Sequence, residues 1–164
     1  LYNRRHFNRL FPQELSRAER DRKIIALIIL DVDYFKLYND NYGHQQGDRA
    51  LIAVAKALKD IFRRAGDFAF RIGGEEFLVA IPNSDAVHAR TAAERLCNLI
   101  GNTPFYVGED RKEITVTVSV GVSLSSGQDP ETVIEDLEDL VNAADVALYA
   151  ARNGGRKKVS LAAA

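Results

Sequence analysis

The sequence predicts one α/β domain, a mixed central β-sheet flanked by helices. Three observations carry that prediction. The run Ile24 to Leu30, "IIALIIL", is continuously apolar and rich in β-branched residues, as a central strand covered on both faces should be. Two further apolar runs, Phe68 to Ile72 and Glu76 to Ile81, flank Gly73-Gly74 and read as a hairpin. Between these runs lie segments whose apolar residues recur at helical spacing.

Residues from about Arg4 to Arg22 carry Phe7, Leu10, Phe11 and Leu15 on one face, and Pro12 argues for a break there. The central strand runs to Val32 and ends in "DVD", Asp31 to Asp33. Asp33 is expected to cap a short helix through about Asn41, stopped by Gly43. Asp48 is expected to open the next helix, with Leu51, Val54, Ala55, Leu58 and Phe62 inward. The Gly73-Gly74 turn is expected to use positive φ. Ser84 is expected to cap a helix to about Ile100. Glu113 to Leu124 alternates like a single strand. Pro130 to Asn153 reads as a helix with Leu137, Leu140, Val141, Ala144 and Leu148 inward, ended by Gly154-Gly155. Lys158 to Leu161 fits a last short strand.

At 164 residues the chain suits one domain. A net charge of -1 supplies no global positive field for nucleic acid or an anionic membrane, so no nucleic-acid partner is expected. No apolar run approaches the roughly 20 residues of a membrane span. Cys97, the one cysteine, reads as a packing thiol in a reducing compartment, and the domain is expected to be cytoplasmic. The chain opens at Leu1 without an initiator Met and is expected to be the C-terminal part of a longer sensor protein, whose anchoring to a membrane stays open. Residues 161–164 are expected to be a tail or vector scar.

Chemistry is expected beyond the end of the central strand, where α/β sheets commonly bind ligands. Alternation sends Asp31 and Asp33 to one side. A carboxylate following such an apolar run needs a partner, either an arginine or a cation. If the hairpin pairs with the central strand, Glu75 meets Asp31. With the Val32 carbonyl they form a partial magnesium site whose remaining ligands are water and phosphate. The side chain of Glu76 is expected to point away and to pair elsewhere. Neither a Walker-type nor a G-x-G-x-x-G loop is present, so phosphates would fall to isolated cations: Lys36, Arg152 and Arg156. The last two equally suit a helix C-terminus. Asn39 and Asp48 could read a guanine edge, or serve a turn and a helix cap. "RAGD", Arg64 to Asp67, reads by itself as a helix end and turn. His44 reads as a loop residue, and His6 and His88 carry no signal.

The residues resemble the GGDEF domains, which make cyclic di-GMP. "LYNRR" resembles the end of that family's N-terminal segment. "DVDYFKLYNDNYGHQQGDRAL", "RIGGEEF", "TVSVGVS" and "AADVALYAARNGGR" resemble its later motifs in order. The resemblance implies a single domain over residues 1–160, a fold like the palm of nucleotide cyclases and polymerases, and diguanylate cyclase activity on GTP. It implies Mg²⁺, with Mn²⁺ an alternative, bound by Asp31, Val32 and Glu75, with Asp31 and Glu75 catalytic. It gives guanine to Asn39 and Asp48 and phosphate to Lys36, Arg152 and Arg156. It gives an inhibitory cyclic di-GMP site to Arg64, Asp67 and Arg95. It further implies a homodimer when active and an upstream sensor domain. Two departures stand out: Arg152 replaces the family's usual Lys, and Lys157 its usual Asn.

Overall fold

The computed structural model describes residues 1–107, 110–125 and 137–162. The elements are β1 (Tyr2–Asn3), α1 (Arg4–Arg20), β2 (Ile25–Val32), α2 (Phe35–Tyr42), α3 (His44–Ile61), β3 (Phe68–Arg71) and β4 (Glu76–Pro82). They continue with α4 (Ala86–Gly101), β5 (Phe105–Val107), β6 (Lys112–Ile114), β7 (Val118–Leu124), α5 (Leu137–Asn153) and β8 (Val159–Leu161).

The main sheet is six-stranded, in the order β1-β3-β4-β2-β7-β8. The β1/β3 and β7/β8 pairs are parallel and the others antiparallel, so the sheet is mixed as expected. β2 is the central strand, and each of its residues is buried. Its alternation sorts the core. Ala26, Ile28, Leu30 and Val32 join the cluster formed with α3 and α4. Ile25, Leu27 and Ile29 join the cluster formed with α1 and α5. Two helical layers thus sandwich one sheet.

Several local expectations give way. α1 runs through Pro12 without a break. Its face of Phe7, Phe11, Leu15 and Ala18 is buried, and that packing outweighs the roughly 3 kcal/mol a mid-helix proline costs. The helix at Asp48 begins earlier, at His44, directly after Gly43 ends α2. Gly43 has φ 87, which explains the glycine at this corner. Asp85, not Ser84, caps α4, accepting from the His88 N–H at 2.7 Å. Ser84 Oγ instead meets His88 Nδ1 at 2.9 Å. The alternating run from Glu113 is two strands. β6 pairs with β5 in a separate small sheet, and only β7 enters the main one. Alternation reports which face a residue takes, not which sheet it joins.

In α5, Leu140, Ala144 and Leu148 are buried. The expected helical start at Pro130 and the inward side chain of Leu137 lie outside the described residues. α5 packs tightly on β7. A Cβ placed on Gly121 would lie 2.1 Å from the Ala144 carbonyl oxygen and 2.3 Å from the Leu148 nitrogen. Beyond β8, the Ala162 N–H still donates to the Val122 carbonyl at 2.7 Å.

Candidate functional site

The β4/β2 pairing sets Glu76 opposite Asp31, and the Val32 N–H donates to the Glu75 carbonyl at 3.3 Å. The hairpin tip is therefore fastened to the end of the central strand. The turn itself differs from expectation. Neither Gly73 nor Gly74 takes positive φ. Residues 72–75 form a wider loop, closed from inside by the Glu76 carbonyl, which accepts from Ile72 and Gly73 at 3.0 and 3.3 Å. The Arg71 guanidinium closes it from outside by donating to the Gly73 and Gly74 carbonyls, the shortest bond being 2.8 Å. Sequence reasoning gave Arg71 no role.

Asp31 is 9% exposed. Its Oδ2 pairs with Arg152 Nη1 at 3.2 Å, while its buried Oδ1 has no partner among the described residues. Burial pushes its carboxyl up to about 6, Arg152 opposes that shift, and Glu75, Glu76 and Asp33 add to it. Both partners weighed for Asp31 are thus relevant: the arginine is present, and one oxygen is still unanswered.

Asp33 is equally buried but fully answered. It accepts from Thr117 Oγ1 at 2.7 Å, Ser119 Oγ at 2.6 Å and the Lys157 N–H at 3.1 Å. The expected capping role is therefore wrong. The residue at the α2 N-cap is Tyr34, in the left-handed region at φ 54 and without a side-chain capping bond. Asp33 instead ties the end of β2 to β7 and to the loop after α5. The second acid of "DVD" carries no mark in the sequence that separates this role from capping.

Asn39 ends its helix through its carbonyl, which accepts from the Gly43 N–H at 2.7 Å. Its side-chain Oδ1 is buried and has no partner among the described residues. Gly47 leaves room for it: a Cβ there would lie 1.8 Å from that oxygen. Asp48, the next residue, is exposed and is no helix cap. It opens on a cleft of about 500 Å³ lined also by Leu51, Lys59, Arg71 and Phe77, and Asn39 is not part of that lining. Lys36 is exposed in the first turn of α2. Arg156 lies over the Tyr34 ring, 4.3 Å from its centroid, and its Nη1 donates to the Tyr34 hydroxyl at 3.2 Å.

Glu76 is the cross-strand partner of Asp31 and lies on the same face of the sheet, near Arg4 and Asp145. Burial raises its carboxyl, Asp145 adds to the rise and Arg4 opposes it, yet no ion pair forms among the described residues. "RAGD" forms a compact turn: the Arg64 N–H donates to Asp67 Oδ2 at 3.1 Å, and the Asp67 N–H returns to the Arg64 carbonyl at 3.0 Å. Burial raises the Asp67 carboxyl against the Arg64 N–H and the nearby charges of Arg64 and His88. Arg95 is exposed on α4, with no direct bond to that turn among the described residues.

Among the described residues no cluster of three His, Cys, Asp or Glu side chains could hold a metal. The strand end brings together fewer oxygen groups: the carboxylates of Asp31 and Glu75 and the Val32 carbonyl. An oxygen that is buried, anionic and unpartnered nevertheless fits a hard cation that completes its shell with water and phosphate. No helix of the described residues is long and apolar enough to cross a membrane.

Fold and side-chain placement together define a mixed-sheet α/β domain with a candidate ligand site beyond its central strand. Residues 1–158 match the family described as diguanylate cyclase, GGDEF domain, and the chain belongs to that family. It is 34% identical over 163 residues to diguanylate cyclase DosC of Escherichia coli, covering 98% of this chain and 33% of that protein. The GGDEF domain of DgcB from Caulobacter crescentus, solved in complex with c-di-GMP, superposes with a TM-score of 0.89 at 30% identity, covering 100% of this chain and 90% of that one. The active GGEEF domain of a diguanylate cyclase from Vibrio cholerae gives 0.87 at 30% identity, covering 100% and 99%. The chain spans about a third of the length of the curated relatives it matches.

Proposed function

We propose that this domain condenses two GTP into cyclic di-GMP with release of two pyrophosphates. The observation that carries the reading is the buried, unpaired Asp31 Oδ1 at the strand end, with Glu75 fastened beside it. Asp31, Glu75 and the Val32 carbonyl are the groups that would hold Mg²⁺, or Mn²⁺ in its place. Such an ion, when bound, neutralises phosphate charge and lowers the pKa of an attacking hydroxyl.

The chain's own residues do the rest. Asn39 and Asp48 orient guanine through its donor and acceptor edge. Lys36, Arg152 and Arg156 hold the triphosphate, Arg152 turning to it from Asp31. The 3′-hydroxyl of one GTP attacks the α-phosphorus of the other. An oxygen–phosphorus bond forms, the bond to the β-phosphate oxygen breaks, and pyrophosphate leaves. Glu75, on its braced tip, accepts the hydroxyl proton. Catalysis is positioning plus charge neutralisation. The product is two-fold symmetric, so the working unit is a two-fold homodimer with facing sites. Arg64, Asp67 and Arg95 form the inhibitory product site. The domain, residues 1–160, works within a longer sensor protein, consistent with its share of its relatives' length.

The test is incubation of product-stripped domain with GTP and Mg²⁺, the nucleotides being resolved by chromatography. Cyclic di-GMP is expected from the wild type and not from Glu75→Gln. No product, even with two copies joined by a dimerising coiled coil, would overturn the enzyme. Retained cyclic di-GMP binding would then make the domain a binding module.

A further inference from the structure

We propose that Tyr34 is a positioning residue for catalysis, holding the Arg156 guanidinium ready for the triphosphate; this deepens the cyclase reading and rests on it. Tyr34 is 62% exposed, so neither core packing nor a buried hydroxyl accounts for it. Its φ of 54 is an outlier for an aromatic residue, and it gives α2 no side-chain cap. What it does touch is Arg156, through its ring face at 4.3 Å and its hydroxyl at 3.2 Å.

The other half of the stack is strained as well. Gly155, Arg156 and Lys157 take φ values of 108, 63 and 46 in succession. Two bonds hold this loop in place: Arg156 N–H to the Ala151 carbonyl at 3.1 Å, and Lys157 N–H to Asp33 Oδ2 at 3.1 Å. Two separate segments, both in a costly backbone region, thus converge on one contact. Such strain persists where the surroundings enforce it, and it concentrates at functional sites.

Both segments start from the candidate site. Tyr34 follows Asp31 by one turn of chain, and Arg156 follows Arg152, which is paired to Asp31. A guanidinium carries N–H groups on several edges. With one face on the ring and one nitrogen on the hydroxyl, its other edge makes no bond among the described residues and can grip phosphate. A long side chain held in advance loses less freedom when substrate arrives.

The experiment measures the dissociation constant for Mg²⁺–GTP, together with kcat and KM, for the wild type, Tyr34→Phe, Tyr34→Asn and Arg156→Ala, and for the double variant of the last two. Asn is chosen because it tolerates the left-handed backbone. Tyr34→Asn should weaken GTP binding about two- to fivefold, the scale of an exposed cation–π contact. Tyr34→Phe keeps the ring face and should stay within about twofold of wild type. In the Arg156→Ala background, Tyr34→Asn should add nothing. Unchanged GTP binding in Tyr34→Asn, failure of Phe to rescue, or additive losses would each overturn the role. A wild type that binds no GTP would overturn the cyclase reading and this one with it. A wild type that binds GTP while Tyr34→Asn binds it equally well would overturn the Tyr34 role alone.

Discussion

Two aspartates two residues apart, at the end of one strand, live in opposite circumstances. Around Asp33 the protein is finished: two hydroxyls and a backbone N–H surround its carboxylate, and it joins β2, β7 and the loop after α5. Around Asp31 it is unfinished: one oxygen faces a half-exposed arginine and the other has no hydrogen-bond partner among the described residues. Their exposures, 9% and 8%, are nearly the same. Burial therefore does not separate a fully bonded acid from an under-bonded one; the count of donors does. The same sign marks Asn39, whose buried Oδ1 is also unpartnered.

The comparison breaks most visibly at Asp33. Asp33→Ala leaves three donors without an acceptor and should cost about 3–5 kcal/mol of unfolding free energy in denaturant titrations. A loss below about 1 kcal/mol would mean that the enclosure contributes little.

Asp31→Asn, measured with a chelator present, should do the opposite. A carboxyl whose folded value lies above its unfolded one binds its proton more tightly when folded. Its ionised form therefore costs stability above about 6, and that cost fades as pH falls toward the ordinary 3.8. The substitution should raise unfolding free energy by about 1–3 kcal/mol at pH 8 and by almost nothing near pH 4. It should also remove cyclase activity. Destabilisation at pH 8 would show that the Arg152 pair outweighs burial.

Gly47→Ala sharpens the Asn39 side of the comparison. The new methyl collides with Asn39 Oδ1 and displaces the amide, so GTP binding should weaken about tenfold. Stability should change by less than about 1 kcal/mol, since alanine favours the helix. Equal GTP affinity would remove Asn39 from the guanine site.

The smallest effect is a control. Cys97 is buried, its thiol lies 3.7 Å from the Val118 carbonyl, and burial pushes it up to about 12. Alkylation at pH 8 should run about a hundredfold or more slower than for an exposed thiol. Fast modification would mean that the closed region near Asp33 opens readily.

The sequence made the sandwich legible because its two signals, apolar alternation and helical spacing, are set by which residues are buried. β2, the β3/β4 hairpin, α3, α4 and the described part of α5 follow from them. What stayed hidden depends on neighbours remote in the chain. Pro12 survives in α1 through packing on the sheet, and the Glu113 run divides because only β7 has partners in the main sheet. Asp33 looked like a cap because its partners, Thr117, Ser119 and Lys157, are far along the chain. Asp31 beside Glu75 was legible from strand logic alone. The left-handed Tyr34 was not, since nothing about a tyrosine advertises positive φ.

Gly121 has a consequence for timing. α5 rests backbone to backbone on β7 at that point, with no room for even a methyl group. A helix keyed in this way cannot slide along its sheet without lifting off it. The freedom left to Arg152, on that helix, is rotation about its own side-chain bonds. Motion of that side chain then belongs to the picosecond-to-nanosecond range of rotamer changes, with α5 held in place on β7.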